Sequence, residues 1–235
     1  PMVGPDARFE RQPGDYAWTR TTRGCPVNCP FCAVSQMDGR VMIEYADFSP
    51  APVIVDDNTL RVRASWEHQA RVIERLAAQH YARVDFNSGF DPAVFAREHY
   101  DLYARLPLKT WRLAFDTERE AGDVERTIQL LRARGVSQNK IAVYVLVGFD
   151  DTPEQSLARA LRVIEWGGEP RVHPYRPLTW LDARKPFVAE RVARGWTEET
   201  IVALPRFFYG YHWRRMTFGA FLAYTRARPF ERNAI

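Results

Sequence analysis

The chain has little cysteine: three residues in 235, none outside positions 25 to 32. An odd count leaves one thiol over, and so tight a cluster does not make a disulfide framework. Also missing is any run near the roughly 18 consecutive apolar residues of a membrane-spanning helix, so no membrane partner is expected. No charged-then-apolar leader opens the sequence, and clustered thiols persist best in a reducing compartment; the expectation is a cytoplasmic protein. Charge of one sign is not in large excess, since Lys plus Arg number 33 against 29 for Asp plus Glu, a formal +4. Arginine far outnumbers lysine, which reads either as a solvated basic surface or as a face for nucleic acid or phosphate. Internal repeats and low-complexity segments are absent as well.

What is present is a globular composition, 46% hydrophobic and 26% charged, in a length that suits one α/β core with a tail. Short β-rich runs alternate with helical patterns from about residue 15 to 178, the signature of successive βα units around a parallel sheet. "YAWTRT" (16–21), "PVIVDDN" (52–58), "RVDFNSGFD" (83–91), "TWRLAFDT" (110–117), "KIAVYVLVGFD" (140–150) and "EPRVHPYRPL" (169–178) read as the strands. The 140–150 run is so rich in β-branched and aromatic residues that burial on both faces is predicted.

Helices fall between them. Ser65 reads as an N-cap ahead of a core stripe of Trp66, Ala70, Ile73 and Ala77. Another helix lies around Phe95 to Arg105. Val124, Ile128 and Leu131 share a face of a third that Gly135 ends. Thr152, Pro153 and Gln155 form a capping box with proline at N1, Leu157, Leu161 and Ile164 follow, and Gly167 closes that helix. About six βα units result, fewer than the eight of a closed barrel. The fold class expected is α/β, a partial (β/α)6 TIM-like barrel over residues 1–178, with a mostly helical, aromatic-rich C-terminal extension over 179–235. That extension either covers the open side of the barrel or caps the substrate.

Cys25, Cys29 and Cys32 are spaced C-x3-C-x2-C within "RGCPVNCPFCAV". A structural zinc takes four protein ligands, and the nearest histidine, His68, lies outside the loop. A cubane iron–sulfur cluster has four irons, so three thiolates leave one free to bind a small molecule. Pro26 and Pro30 stiffen the loop, and Gly24 allows a tight entry to it.

This spacing, with Phe31 just before the third cysteine and a first strand leading into the loop, resembles the radical S-adenosylmethionine superfamily over roughly residues 15–178. The resemblance implies a [4Fe–4S] cluster held by Cys25, Cys29 and Cys32. It implies S-adenosylmethionine bound through its amino and carboxylate groups to the fourth iron, and an external one-electron reductant of flavodoxin or ferredoxin type. Reductive cleavage of the sulfonium would give methionine and a 5′-deoxyadenosyl radical that abstracts hydrogen from a substrate.

The resemblance also assigns cofactor contacts. Phe31 lies in the cluster loop; Asp56, Asp57 and Asn58 stand where the family receives the methionyl ammonium, the other reading being a solvated turn capped by Asp57. Asp116 stands at the ribose position and Gly148 near the adenine. His173 or Tyr175 would flank the adenine, or be satisfied core residues.

Chemistry in parallel barrels sits at the carboxyl ends of the strands, so Asn87, Asp91, Asp116, Tyr144, His173 and Arg176 face the reacting group, with Asn87, Asp91, Tyr144 and Arg176 taken as catalytic or substrate contacts. With no further cysteine there is no second cysteine-ligated cluster and no thiyl chemistry. A nucleotide or nucleic-acid base is the first substrate class, a peptide or small metabolite the alternative. A non-enzymatic, metal-organised nucleic-acid-binding module is the competing class.

Overall fold

The computed structural model describes residues 17–61, 66–177 and 189–227. In chain order its first elements are β1 (Trp18–Thr19), β2 (Thr22–Arg23), α1 (Val34–Met37), β3 (Ile43–Glu44), β4 (Val53–Ile54), α2 (Trp66–Ala77), β5 (Asp85–Phe86) and α3 (Arg97–Tyr103). Then come β6 (Trp111–Ala114), α4 (Ala121–Ala133), β7 (Ile141–Val147), α5 (Pro153–Trp166), β8 (Glu169–Pro174), α6 (Ala189–Ala193), α7 (Glu198–Tyr209) and α8 (Phe218–Ala227). Tyr16, Ser65 and the 178–188 part of the extension lie outside the described residues.

The α/β reading holds. β1, β4 and β5 pair in that order as one parallel sheet, and β6, β7 and β8 as another. Between the sheets Val84 and Leu108 form an isolated parallel bridge. The amide of Lys109 donates to the Val84 carbonyl and that of Phe90 to the Arg112 carbonyl, each at 2.8 Å. Six parallel strands therefore follow one another in chain order, and among the described residues no pairing joins β1 to β8.

One face of these strands is apolar and lies under the helices. Ile141, Val143, Val145 and Val147 of β7 are buried with Leu113, Phe115 and Val172, beneath Val124, Ile128 and Leu131 of α4 and Ala160 and Val163 of α5. The expectation that β7 is buried on both faces fails at Tyr144 and Leu146, which are only half-buried. The reason is chemical: their face carries polar partners from the neighbouring strands, not a second hydrophobic layer.

α5 begins and ends as its sequence predicts. Thr152 Oγ1 accepts the Gln155 amide at 3.3 Å, Gln155 Oε1 accepts the Thr152 amide at 2.9 Å, and Gly167 ends the helix at φ 95°. Two stripes run otherwise than predicted. On α2 the buried residues are His68, Gln69, Val72, Ile73 and Leu76, so the face is turned toward Gln69 and Trp66 is exposed. On α5 the face centres on Ala160 and Val163, which leaves Leu161 exposed.

β2 and β3 form an antiparallel ribbon, Thr22 opposite Glu44 and Arg23 opposite Ile43, that the sequence reading did not contain. It brackets residues 24–42 and so closes the base of the cysteine loop. The C-terminal helices cover the β8 side, with α7 against β8. Trp196, Phe207, Phe208 and Phe221 are buried there, and Trp196 Nε1 donates to the Asp151 carbonyl at 2.7 Å. No helix among the described residues is long and apolar enough to cross a membrane.

Candidate functional site

The cysteine loop is held by its backbone. Gly24 enters it at φ 89°, and a Cβ there would stand 2.3 Å from the Val41 carbonyl oxygen, so only glycine fits. The Gly24 amide donates to Asp57 Oδ2 at 2.7 Å, the Cys25 amide to the Gly39 carbonyl at 3.1 Å, and the Cys32 amide to the Cys29 carbonyl at 3.1 Å. Cys25, Cys29 and Cys32 are half-buried free thiols.

Burial pushes the Cys29 thiol up to about 11, and the charges of Cys32, Cys25, Glu120 and Asp116 add to the rise. The loop thus lies within electrostatic reach of the carboxyl end of β6. Burial, then the charge of Glu120, lifts Asp116 to about 7, although its Oδ1 accepts the Leu146 amide at 3.1 Å. Glu120 Oε2 accepts the amides of Asp116 and Thr117 at 2.6 and 2.9 Å, and burial raises Glu120 too. As anions these groups would repel one another, and a bound cation would favour their ionisation.

The three polar residues after β4 divide. Asp56 is fully buried and spent on structure, accepting the Thr21 and Thr22 amides at 2.5 and 2.9 Å and the Thr21 hydroxyl at 2.6 Å. Asp57 has both oxygens engaged, Oδ2 by Gly24 and Oδ1 by Arg20 at 3.0 Å. Its role here is to anchor the loop, as a cap would. Asn58 alone of the three reaches the thiols, its Nδ2 standing 3.7 Å from Cys25 Sγ and 3.1 Å from Asp91 Oδ2.

Asp91 is occupied as a brace: Oδ2 also accepts Arg61 Nε at 2.6 Å and Oδ1 accepts the Ala93 amide at 3.0 Å. The Arg61 cation is close enough to feel the charges of Cys25 and Cys29, which help to raise its pKa after the larger effect of Asp91. Sequence reasoning missed Arg61, Glu120 and Phe149. Glu120 alone carried a signal, three residues after Thr117 in a capping box.

An aromatic row lies beside the loop. Phe31 meets Phe149 edge to face at 5.4 Å, and Phe149 meets Tyr175 at 4.7 Å. Gly148, just before Phe149, has φ 75°; its amide bonds Asp151 Oδ1 at 2.8 Å and its carbonyl accepts Arg191 Nε at 3.0 Å. Tyr175 and Phe31 are thereby brought together, whereas His173 is not in this row. It meets Tyr144 at a tilt of 42° with ring centroids 5.1 Å apart and bonds the Tyr209 hydroxyl through Nε2 at 2.9 Å.

Tyr144 belongs to the polar face of the strands, where its hydroxyl oxygen accepts Arg112 Nη1 at 2.6 Å. Asn87 is exposed just beyond β5. Arg176 is exposed and borders a cavity of about 270 Å³ between β8 and α7, lined also by Arg191, Ile201, Val202, Pro205 and Arg206. It does not join the thiols.

Soft thiolates flanked by an amide donor, carboxylates and an aromatic row suit an iron–sulfur cluster with an organic ligand at its side. Among the described residues no three His, Cys, Asp or Glu side chains are grouped to hold a metal ion. No family model matches the chain, and no curated protein matches it.

Proposed function

We propose that this chain is a radical S-adenosylmethionine enzyme acting on a nucleotide or nucleic-acid base, and that its two parallel sheets are the halves of a partial (β/α)6 barrel in a cytoplasmic protein. The observation that carries the reading is the half-buried C-x3-C-x2-C loop beside Asn58, Asp116, Glu120 and the Phe31–Phe149–Tyr175 row, of which Asn58, Asp116, Phe149 and Tyr175 follow the carboxyl ends of the parallel strands β4, β6, β7 and β8. Ligands of α/β proteins bind at that end of the strands.

Cys25, Cys29 and Cys32 would hold a [4Fe–4S] cluster. That cluster, given an electron from a flavodoxin- or ferredoxin-type reductant, would supply reductive cleavage of the sulfonium of S-adenosylmethionine to methionine and a 5′-deoxyadenosyl radical. Asn58 donates toward the Cys25 sulfur, an interaction that tunes cluster potentials. Asp116 and Glu120 offer carboxylates to the ammonium and hydroxyl groups of the methionine and ribose. The aromatic row gives the adenine a wall and keeps water from the reacting carbon.

Anaerobic reconstitution tests the reading. About four irons per chain, with methionine and 5′-deoxyadenosine formed on reduction, is the expected result. Stoichiometric zinc without iron would overturn it in favour of a metal-organised binding module.

A further inference from the structure

On β8, α7 and the turn after α7, aromatic rings and arginines lie in two groups, Tyr209 with Arg171 and Tyr211 with Arg214 and Trp213, joined through Glu169. Tyr144 meets His173 at a tilt of 42° with centroids 5.1 Å apart, and His173 bonds Tyr209 at 2.9 Å. The Arg171 guanidinium lies 5.8 Å from the Tyr209 ring. Arg214 lies 4.6 Å from the Tyr211 ring and 5.0 Å from that of Trp213. Tyr209 and Tyr211 are exposed, as are Arg214 and Arg215.

The charge along this row is unequal. Its one carboxylate, Glu169, is buried and already met by Arg171 at 3.1 Å, Tyr211 at 3.2 Å and Arg214 at 3.7 Å. Arg215 has no ion-pair partner among the described residues. A cavity of about 310 Å³ opens at the end of the row, lined by Gly210, Tyr211, His212, Arg214 and Arg215, with no carboxylate in its wall.

Tyr211 adds an independent sign. It sits in the left-handed region at φ 54°, a conformation costly for a bulky side chain. Asn or Gly would make this turn without strain, yet the position carries a tyrosine, 36% exposed, whose hydroxyl donates to Glu169 Oε2 at 3.2 Å and whose ring lies beside Arg214.

We propose that this row, Tyr209–Arg171–Tyr211–Arg214–Trp213 with Arg215 at its end, binds a single-stranded polynucleotide, bases stacking on the rings and phosphates meeting the arginines. Alternating rings and guanidinium groups match unpaired bases strung on a charged backbone. A duplex hides its base faces, and a lone nucleotide engages one step of the row. The proposal rests on the nucleic-acid part of the functional reading and not on its radical chemistry.

The test is fluorescence anisotropy with a labelled 12-nucleotide single strand, the matching duplex and a labelled mononucleotide, on the cluster-loaded protein at about 50 to 200 mM salt. The single strand is expected to bind most tightly, its affinity falling steeply with salt. Tyr211→Gly, which relieves the strained backbone, should weaken it at least about tenfold. Arg215→Ala, at an exposed side chain, should lower the salt slope by about 0.7. Equal affinity for duplex and single strand, displacement by polyglutamate as effective as by unlabelled strand, or unchanged binding in both variants would overturn the proposal. Cys29→Ala separates the two readings: strand binding that survives loss of iron belongs to the row, whereas a protein that takes up iron and binds no strand defeats the row alone.

Discussion

Arg112 grips Asp85 with two nitrogens, Nε to Oδ1 at 2.9 Å and Nη2 to Oδ2 at 2.7 Å. The pair joins β5 to β6, where backbone pairing between the two parallel sheets thins to a single bridge, and Nη1 carries the link on to Tyr144 of β7. One guanidinium thus ties three consecutive strands on their polar face, in the geometry that makes arginine–carboxylate bonds strong.

The pair sets an acid limit on the fold. Burial alone would raise the Asp85 carboxyl, but the hydrogen bond and charge of Arg112, helped by Lys109, outweigh it and hold the group below its ordinary value. A depressed folded pKa gives stability that is complete above the unfolded pKa near 4 and lost as pH falls through the lower folded value. Asp85→Asn should cost about 3 kcal/mol at pH 7, because it leaves a largely buried Arg112 without its counter-charge. Urea unfolding at pH 7 and pH 3 checks this: the gap between native and variant should narrow at the lower pH.

Gly24 and Gly39 both have positive φ, 89° and 86°, but differ in surroundings. A Cβ on Gly39 meets nothing within 4 Å, so Gly39→Ala should cost only the backbone penalty of about 1–2 kcal/mol. Gly24→Ala adds a clash with the Val41 carbonyl and should lose clearly more, with the cysteine loop displaced. Thermal unfolding of the two variants side by side gives the comparison.

Asp57→Ala should loosen the loop before it affects any ligand. It removes the acceptor for the Gly24 amide and the partner of Arg20, of which a charge-assisted bond is worth about 1.5–3 kcal/mol. The expected outcome is lower stability and lower iron retention together. Iron content kept at the native level with only S-adenosylmethionine affinity reduced would return Asp57 to the ammonium.

Phe149 stands between Phe31 and Tyr175. Phe149→Leu keeps an apolar side chain and removes the ring face, so it should weaken S-adenosylmethionine binding about tenfold while iron content stays native. Equilibrium dialysis with the reconstituted protein measures the affinity without turnover.

Features written in long patterns were legible before the structure. The β-branched run of 140–150 is a parallel strand, the Thr152–Gln155 box caps α5, and Val124, Ile128 and Leu131 face the core. That the three thiols share one short loop was legible from their spacing. What escaped was short or relational. Two-residue strands such as β2 and β3 have no periodicity to detect. Asp56 and Asn58 look alike in sequence as polar strand-end residues, yet one is consumed by Thr21 and Thr22 and the other is turned toward Cys25. Tyr144 counts as a strand former in any pattern; only its neighbours Arg112 and His173 reveal that its side of the sheet is polar.

The bond from Arg191 to the Gly148 carbonyl spans forty-three positions. Trp196, from the same segment, reaches the Asp151 carbonyl, and a Cβ at Gly148 would collide with Ile201 of α7. The strand end that presents Phe149 is therefore finished by helices made later in translation. On a ribosome adding about 5–20 residues per second, this places completion of the aromatic row some seconds after β7 has emerged. Until then α7 is missing from its place against β8, and the nascent chain should be at its most chaperone-dependent in that interval.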